Sequence, residues 1–314
     1  MSSLTVSLFT TSFLLFGGPA EAAAAQDPKP AQQPKEVTPP KELRFSVIPD
    51  FNKATLADNC KLIETVLTKK LGIPVHFDAS ADYTMAVNGL VSNKLDFVWL
   101  GGKTTVDAID AGKGEVNVLA TRDIDLHFKT YFIANQKSIE AGKVKPLKDL
   151  AELKAIAKDL TFTFGDKNST SGHLMPRFFL TQAGIDPNKS FQGEAGYQAS
   201  GGHASTLKAV ASGAADLGAL NFAYYDGAKP DEKATAPIVY TTPEYVDYAW
   251  VGHNRMGKEL MKKITDAFTM LDAKVPEEKA ILDAWKCKKF EAAKNSQWDS
   301  IRKVRDSLPK GFLQ

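Results

Sequence analysis

The chain has 314 residues, of which 43% are hydrophobic and 24% are charged, a composition typical of a soluble protein with enough length for two domains. Its formal net charge of +2 gives no sign of a polyanion-binding surface, so we expect no nucleic-acid partner. The 2 cysteines lie far apart and no His-rich tract is present, so we expect neither a metal site nor a cofactor.

The first 25 residues read as a secretory signal peptide. Leu4–Phe16 is an apolar segment too short to span a bilayer, and Pro19–Ala22 supplies the small residues of a cleavage site. No Lys or Arg precedes the apolar segment, so either the start codon is misplaced or the basic region is weak. Residues 26–42 are rich in Pro, Gln and Lys and predict a disordered tether. We therefore expect an exported, periplasmic protein whose folded part begins near Leu43.

The folded part opens with a β-α-β pattern. Arg44–Ile48 predicts a strand that is buried in a sheet, and an amphipathic helix is predicted from about Thr55. Pro74–Phe77 is the next strand, Asp82 caps a second helix, and Leu95–Trp99 is a third strand. These elements predict one α/β unit.

The same pattern restarts after residue 158. Leu160–Phe164 predicts a strand, Gly165–Asn168 a turn, and Ser169 opens a helix that stops at Gly184. A glycine-rich loop at 200–204 then leads into another helix and strand, which complete a second α/β unit.

Two α/β units, two strand crossings near 131–135 and 239–243, and a helical return from residue 256 describe a bilobal clamshell. We place lobe 1 at residues 43–133 and 244–314, and lobe 2 at residues 134–243. In such folds ligands bind between the lobes, at strand ends and helix N-termini.

Three hydroxyl side chains, Ser169, Thr170 and Ser171, lie at the predicted start of a helix. The first amides of a helix have no internal partner and carry the positive end of the dipole, so hydroxyls there complete a nest for a tetrahedral oxyanion. The alternative is that Ser169 is only a helix N-cap.

Several motifs carry a resemblance to a known family. NSTSGHLMP, with DYTMAV and LDFVWLGG before it and GGHAST after it, resembles the phosphate, phosphite and phosphonate periplasmic substrate-binding proteins of ABC transporters. The resemblance runs from Leu43 to about Arg305. The segment TRDIDLHFKTYFIAN is most similar to a branch assigned to selenate and related oxyanions. The resemblance implies the type II periplasmic-binding-protein fold, with two α/β lobes joined by two crossing strands, and a monomer that delivers its ligand to a membrane permease.

The resemblance also implies a set of ligand-binding residues. It places the anion's oxygens on the hydroxyl nest, a Tyr hydroxyl from the opposite lobe, a His donor and an acidic residue of the cleft: Ser169, Thr170, Ser171, Tyr83, His203 and Asp247. Apart from the resemblance, Trp99 at a strand end is a further candidate, as a wall of the cleft. Each of the last four has a structural alternative. Tyr83 and Trp99 could be core aromatics, His203 an exposed loop residue, and Asp247 a turn former.

Two departures from the family pattern narrow the ligand. Aminoalkylphosphonate binders have a Tyr where this chain has Leu100, and a Glu for the ligand amine where it has Ala223. A buried ammonium group without a fixed partner is costly, so we expect a ligand without an amine. A carboxylate at Asp247 accepts a hydrogen bond only from an anion that still holds a proton, which favours phosphonate, phosphite or phosphate over sulfate or selenate.

The sequence therefore predicts a binding protein and not an enzyme. The alternatives are a selenate or sulfate binder of the same fold, a sensor that feeds a receptor, and, remotely, a serine hydrolase built from Ser169 or Ser171 with His203 and Asp247. The hydrolase is disfavoured because no G-x-S-x-G motif is present. Whether Cys60 and Cys287 form a disulfide is left open by the sequence.

Overall fold

The computed structural model describes residues 39–50, 53–193, 196–197, 202–309 and 311–312. The predicted signal peptide, most of the predicted tether and the first residues of the glycine-rich loop lie outside this set. No helix among the described residues combines the length and the apolar character that crossing a membrane requires. Cys60 and Cys287 are free thiols.

Among the described residues, six strands form the first sheet, in the order β11-β4-β10-β3-β1-β2. Their bounds are β1 Leu43–Val47, β2 Val75–Phe77, β3 Phe97–Leu100, β4 Val116–Arg122, β10 Ala249–His253 and β11 Phe290–Ala292. Strands β1, β2 and β3 are parallel, whereas β10 runs antiparallel to both β3 and β4. The carboxyl ends of β1 and β3 therefore meet at one edge, where Asp50 and Gly101 follow.

The helices of this lobe cover both faces of the first sheet. They are α1 Lys53–Leu71, α2 Tyr83–Val91, α3 Gly102–Ala111, α9 Lys258–Thr269, α10 Pro276–Ala284 and α11 Asp299–Ser307. The core between sheet and helices is aromatic: Phe45 stacks on Phe97 at 5.2 Å between ring centroids, and Trp250 stacks on Phe268 at 4.8 Å. The sequence predicted the helical return but not the short edge strand β11, which pairs with β4.

The second sheet has the order β7-β6-β8-β5-β9 among the residues that are described. Its strands are β5 Thr130–Ala134, β6 Phe162–Phe164, β7 Gly196–Tyr197, β8 Leu217–Asn221 and β9 Ile238–Thr241. Its helices are α4 Gln136–Glu140, α5 Met175–Gln182, α6 Gly202–Ala211, α7 Phe222–Asp226 and α8 Pro230–Thr235. Strands β6 and β8 are parallel, and β5 is antiparallel to β8 and β9. This arrangement is the second predicted α/β unit.

The chain passes between the two sheets twice, after β4 and after β9. The two connections are bonded to each other, since Phe128 and Tyr245 form an antiparallel bridge. The first connection also carries a buried ion pair in which Arg122 Nε donates to Asp125 Oδ2 at 2.7 Å. The second connection carries Asp247, whose carbonyl oxygen accepts from the Trp298 indole at 2.6 Å. Both connections are therefore fixed where they pass the inter-lobe cleft.

Candidate functional site

The turn after β6 is built by two glycines and one serine. The Gly165 N–H donates to the Gly172 carbonyl at 2.7 Å. A Cβ atom on Gly165 would lie 3.1 Å from Gly172 Cα, and one on Gly172 would lie 3.2 Å from Gly165 Cα, so a side chain at either position would be in tight contact with backbone. Ser169 Oγ accepts from the Gly172 N–H at 3.0 Å, which makes Ser169 the N-cap of the helical turn Thr170–Leu174 that continues into α5. The capping bond of the alternative interpretation is therefore present.

Thr170 connects the two lobes. Its Oγ1 accepts from the Lys103 N–H at 2.9 Å, at the start of α3 in the first lobe. The Lys103 ammonium donates to Asn168 Oδ1 at 3.1 Å, and Asn168 donates to Thr84 Oγ1 at 3.3 Å. The hydroxyl-bearing turn of one lobe thus lies against the helix starts of the other.

Asp247 lies beside Thr170 with no exposed surface. Its Oδ1 accepts from the Gly102 N–H at 2.8 Å, and the carboxyl group also interacts with the Thr170 hydroxyl. Its Oδ2 is buried and has no hydrogen-bond partner within the described ranges. Burial raises the pKa of this carboxyl well above its usual value, and repulsion from Asp125 and Asp50 adds to the shift, while the bonds from Gly102 and Thr170 offset only part of it. Asp247 therefore has one satisfied oxygen, one free oxygen and a tendency to hold a proton.

Asp50 is a candidate site residue that was not predicted from the sequence. It follows β1, is 1% exposed, and accepts from the Tyr83 hydroxyl at 2.6 Å and from the Tyr248 hydroxyl. His203 Nε2 lies 3.3 Å from its Oδ1. Burial would raise the pKa of Asp50, but the electrostatic interaction with His203 and the hydrogen bonds from all three side chains bring it below its usual value. An ionised carboxylate therefore lies where the resemblance predicts donors to an anion.

In the sequence, Asp50 is marked only by its place three residues after the last residue of β1, near the edge of the sheet where such folds bind ligands.

His203 is buried at the start of α6, with 2% of its surface exposed, which excludes the alternative of an exposed loop residue. Its Nδ1 accepts from the Asn221 N–H at 3.4 Å, and its Nε2 is 3.5 Å from the Tyr248 hydroxyl oxygen. Gly202, directly before it, has a φ of +52°, and a Cβ atom there would lie 2.9 Å from the Asp50 carbonyl oxygen. Only glycine allows this close approach of the two lobes.

Trp99 and Ser171 lie at the two sides of this cluster. Trp99 is fully buried and stacks on the Tyr248 ring at 5.7 Å with an interplanar angle of 10°, so it packs beneath Tyr248 as a core aromatic would. Ser171 is fully buried beside the Tyr245 hydroxyl, and its carbonyl accepts from Thr130 Oγ1 at 2.8 Å. Each of these residues contacts a tyrosine of the cleft region: Trp99 contacts Tyr248, and Ser171 contacts Tyr245.

The structure thus groups the predicted site residues into two clusters. Thr170 and Asp247 meet at the start of α3, while Tyr83 and His203 meet at Asp50. Within the described part of the chain, His203 forms no hydrogen bond to Ser169 or Ser171, so a serine, histidine and aspartate relay is not assembled.

Comparisons with known proteins identify the family of this chain. The family model described as "ABC transporter, phosphonate, periplasmic substrate-binding protein" matches residues 45–298. The "Probable ABC transporter phosphite binding protein PhnD1" of Prochlorococcus marinus is 38% identical over 276 residues, which cover 85% of this chain and 90% of that protein. The phosphonates-binding periplasmic protein of Escherichia coli is 28% identical over 266 residues, covering 83% of this chain and 75% of that protein.

Two solved structures show the same fold. The structure of Prochlorococcus marinus PhnD1 in complex with methylphosphonate has a TM-score of 0.78 and 36% identity, and the match covers 85% of this chain and 97% of that one. A binding-protein component of an ABC phosphonate transporter from Pseudomonas aeruginosa has a TM-score of 0.71 at 23% identity, with 84% and 85% of the two chains covered. The predicted bilobal type II periplasmic-binding-protein fold is confirmed.

Members of this family are binding components of transporters, not enzymes, as the sequence predicted. The family match extends over most of the described chain and includes both clusters of the cleft. The chain belongs to the family of phosphonate-type periplasmic substrate-binding proteins of ABC transporters.

Proposed function

We propose that this protein captures a small tetrahedral oxyanion of the phosphonate, phosphite or phosphate class between its lobes and delivers it to the permease of an ABC transporter. The observation that carries the proposal is the free Oδ2 of Asp247, which is buried beside Thr170 and the first amides of α3 with no partner in the described part of the protein. A buried polar atom without a partner is rare unless a ligand or water satisfies it.

The proposed contacts extend from Asp247 along both lobes. Hydroxyls and amides at the Ser169, Thr170 and Ser171 turn are suited to the unprotonated oxygens, because these groups donate hydrogen bonds and lie at a helix start. We also assign the other three predicted residues, which are all buried, to the ligand-binding site: Tyr83, Trp99 and His203.

Asp247 and the anion share one proton in this arrangement. A phosphonate or phosphite monoanion brings that proton with it, and the carboxylate then accepts a hydrogen bond. A sulfate or selenate brings none, so Asp247 itself must be protonated to avoid repulsion between lone pairs. Because burial raises the pKa of Asp247, this second case is chemically accessible, and a selenate or sulfate ligand is our second candidate.

The environment of Ala223 supports a ligand without an amine. The residue carries no carboxylate, and the Lys286 ammonium donates to its carbonyl oxygen at 3.1 Å. A ligand ammonium at this position would meet a cation instead of an anion, which disfavours aminoalkylphosphonates.

We also propose the cellular setting and the domain plan predicted from the sequence. Residues 1–25 would direct export, and residues 26–42 would form the tether. The folded part would be a periplasmic monomer that does not bind nucleic acid. The names of the relatives support the periplasmic location. The lobe boundary near residue 243 is supported by β9, which ends at Thr241, whereas β5 pairs within the second sheet over its whole length and favours a first boundary before residue 130 instead of at residue 133. A sensing role that feeds a receptor would leave ligand uptake intact in cells lacking the protein, whereas a transport role would not.

Thermal unfolding of the purified mature protein tests the ligand class. Methylphosphonate, phosphite and phosphate should raise the melting temperature by mass action, while 2-aminoethylphosphonate, sulfate, selenate and arsenate serve as the comparison set. A shift with the aminated compound alone would contradict the argument from Ala223. Sulfate or selenate binding that strengthens as pH falls would favour the second candidate.

A further inference from the structure

We propose that Asp50 is an internal competitor of the anion: its carboxylate occupies donors that the anion needs, and it thereby sets the affinity of the site. The inference rests on the proposed function, because that proposal assigns Tyr83 and His203 to the ligand.

Each proton that the side chains around Asp50 can donate has an identifiable acceptor. A tyrosine hydroxyl has one proton to donate, and both the Tyr83 and the Tyr248 hydroxyl direct it to the Asp50 carboxylate. The His203 Nδ1 accepts from the Asn221 N–H, so Nε2 is the ring nitrogen that donates, and it lies 3.3 Å from Asp50 Oδ1. All three donors therefore point at one carboxylate, and the two tyrosines have only lone pairs left for a ligand.

Asp50 also links the lobes as a bound anion would. It lies at the end of β1 with Tyr83 and Tyr248 around it, all in the lobe of the first sheet. His203 belongs to α6, which packs against β8, β5 and β6 of the second sheet. The contact between Gly202 and the Asp50 carbonyl brings α6 to this position. One negatively charged group thus receives hydrogen bonds from both halves of the cleft.

A second anion cannot use the same donors without displacing the first. The Asp50 carboxylate is 1% exposed, so water screens it little, and an anion beside it would be repelled. Binding must therefore transfer the Tyr83 and His203 donors from Asp50 to the ligand. The net free energy of binding is then the difference between the bonds that the donors form with the ligand and those that they form with Asp50. Removing the charge of Asp50 should therefore increase the affinity.

The opposing interpretation is that Asp50 only positions the donors. A positioning residue holds Tyr83 and His203 in the orientation that the ligand requires, so its removal would weaken binding. The two interpretations predict opposite signs for one measurement.

The test is calorimetric titration of wild-type protein and Asp50→Asn with methylphosphonate, phosphite and phosphate at pH 7. Asparagine keeps the shape of the side chain and removes its charge. We expect at least one of these anions to bind Asp50→Asn about tenfold more tightly, because a like charge is gone. Equal or weaker binding of every anion by the variant overturns the proposal.

Two further variants keep the result interpretable. Asp96→Asn is the matched control, since Asp96 is also 1% exposed in the first lobe but bonds to the Arg44 N–H and pairs with Arg255. It should lower stability without changing anion affinity. Asp50→Ser removes the charge with a smaller side chain, so it should also bind at least one of these anions more tightly than wild-type protein does. If Asp50→Asn does not fold, equal or weaker binding of every anion by Asp50→Ser overturns the proposal.

Small-angle scattering of the ligand-free proteins adds a readout that needs no anion. If Asp50 ties the lobes together, Asp50→Asn should have the larger radius of gyration, and an unchanged radius counts against the proposal. Binding by wild-type protein without a gain in the variant refutes only the role of Asp50. Absence of binding in both proteins refutes the proposed function as well.

Discussion

A Cβ atom added to Gly202 would lie 2.9 Å from the carbonyl oxygen of Asp50, across the contact between the two lobes. Backbone atoms on both sides cannot move aside as the end of a flexible side chain can. The lobes therefore reach this contact only because residue 202 is glycine.

We predict that Gly202→Ala keeps the lobes apart and weakens anion binding by tenfold or more. The positive φ of +52° adds strain for alanine, so some loss of stability is expected in addition. Calorimetric titration with the anion that binds wild-type protein measures the affinity.

Gly213→Ala is the control, at the other end of the same helix. Its φ is +81°, but a Cβ atom there would find its nearest neighbour at 3.6 Å, in Asn135. This variant should lose stability and keep wild-type affinity. If both variants bind as tightly as wild-type protein, the contact at Gly202 is not needed for the bound state.

The second prediction concerns Asp247→Asn. Because the folded-state pKa of Asp247 is raised above 3.8, the folded protein binds more protons than the unfolded chain, and stability falls as pH rises through this window. Each pH unit costs about 1.4 kcal/mol while a single such group is the only one that titrates. The variant has no such loss, so its melting temperature at neutral pH should exceed that of wild-type protein.

The same substitution should weaken binding of phosphonate and phosphite, since an amide oxygen accepts the hydrogen bond from the ligand less strongly than a carboxylate does and cannot take up its proton. Melting curves at several pH values and one titration with methylphosphonate check both parts. A variant that is less stable than wild-type protein at neutral pH would contradict the assignment of a raised pKa.

Elements with a clear hydrophobic period could be predicted from the sequence, and the short ones could not. The helix after Ser169 has apolar residues at helical spacing, the strand at 43–47 alternates, and the strand at 97–100 is a continuous apolar run, so each pattern sufficed. Strand β11 has three residues and pairs at the edge of the sheet with β4, a contact that depends on residues more than 160 positions away.

The candidate site shows the same limit. The hydroxyl turn at Ser169 is visible in sequence because it is local, and the resemblance supplied Tyr83, His203 and Asp247. Asp50 was missed because its three partners come from separate elements of both lobes. Long-range convergence of that kind leaves no spacing in the chain to recognise, so the place of Asp50 after β1 was its one mark in the sequence.

The third prediction concerns the hydroxyl turn. Thr170→Ala removes the group that accepts from the Lys103 N–H and contacts Asp247, and hydrogen bonds to charged groups contribute about 1.5–3 kcal/mol. We expect anion binding to weaken roughly tenfold to a hundredfold. Ser169→Ala additionally removes the N-cap bond to Gly172, which costs about 1 kcal/mol of stability.

Thr181→Ala is the control for Thr170, because among the described residues its hydroxyl bonds to the Arg177 carbonyl at 2.8 Å, within α5. Its affinity should equal that of wild-type protein. Unchanged anion-induced stabilisation in the Ser169→Ala, Thr170→Ala double variant would show that the turn does not hold the ligand.

The last prediction is that Asp50 makes the ligand-free protein sensitive to acid. Its folded-state pKa lies below 3.8, so its hydrogen bonds stabilise the fold above that value, and the contribution is lost as pH falls through the lowered value. Urea unfolding between neutral and strongly acidic pH should show this loss in wild-type protein. Asp50→Asn should be less stable at neutral pH and should lose less stability on acidification. If the two stability curves stay parallel at acidic pH, the carboxylate of Asp50 does not stabilise the fold through these bonds.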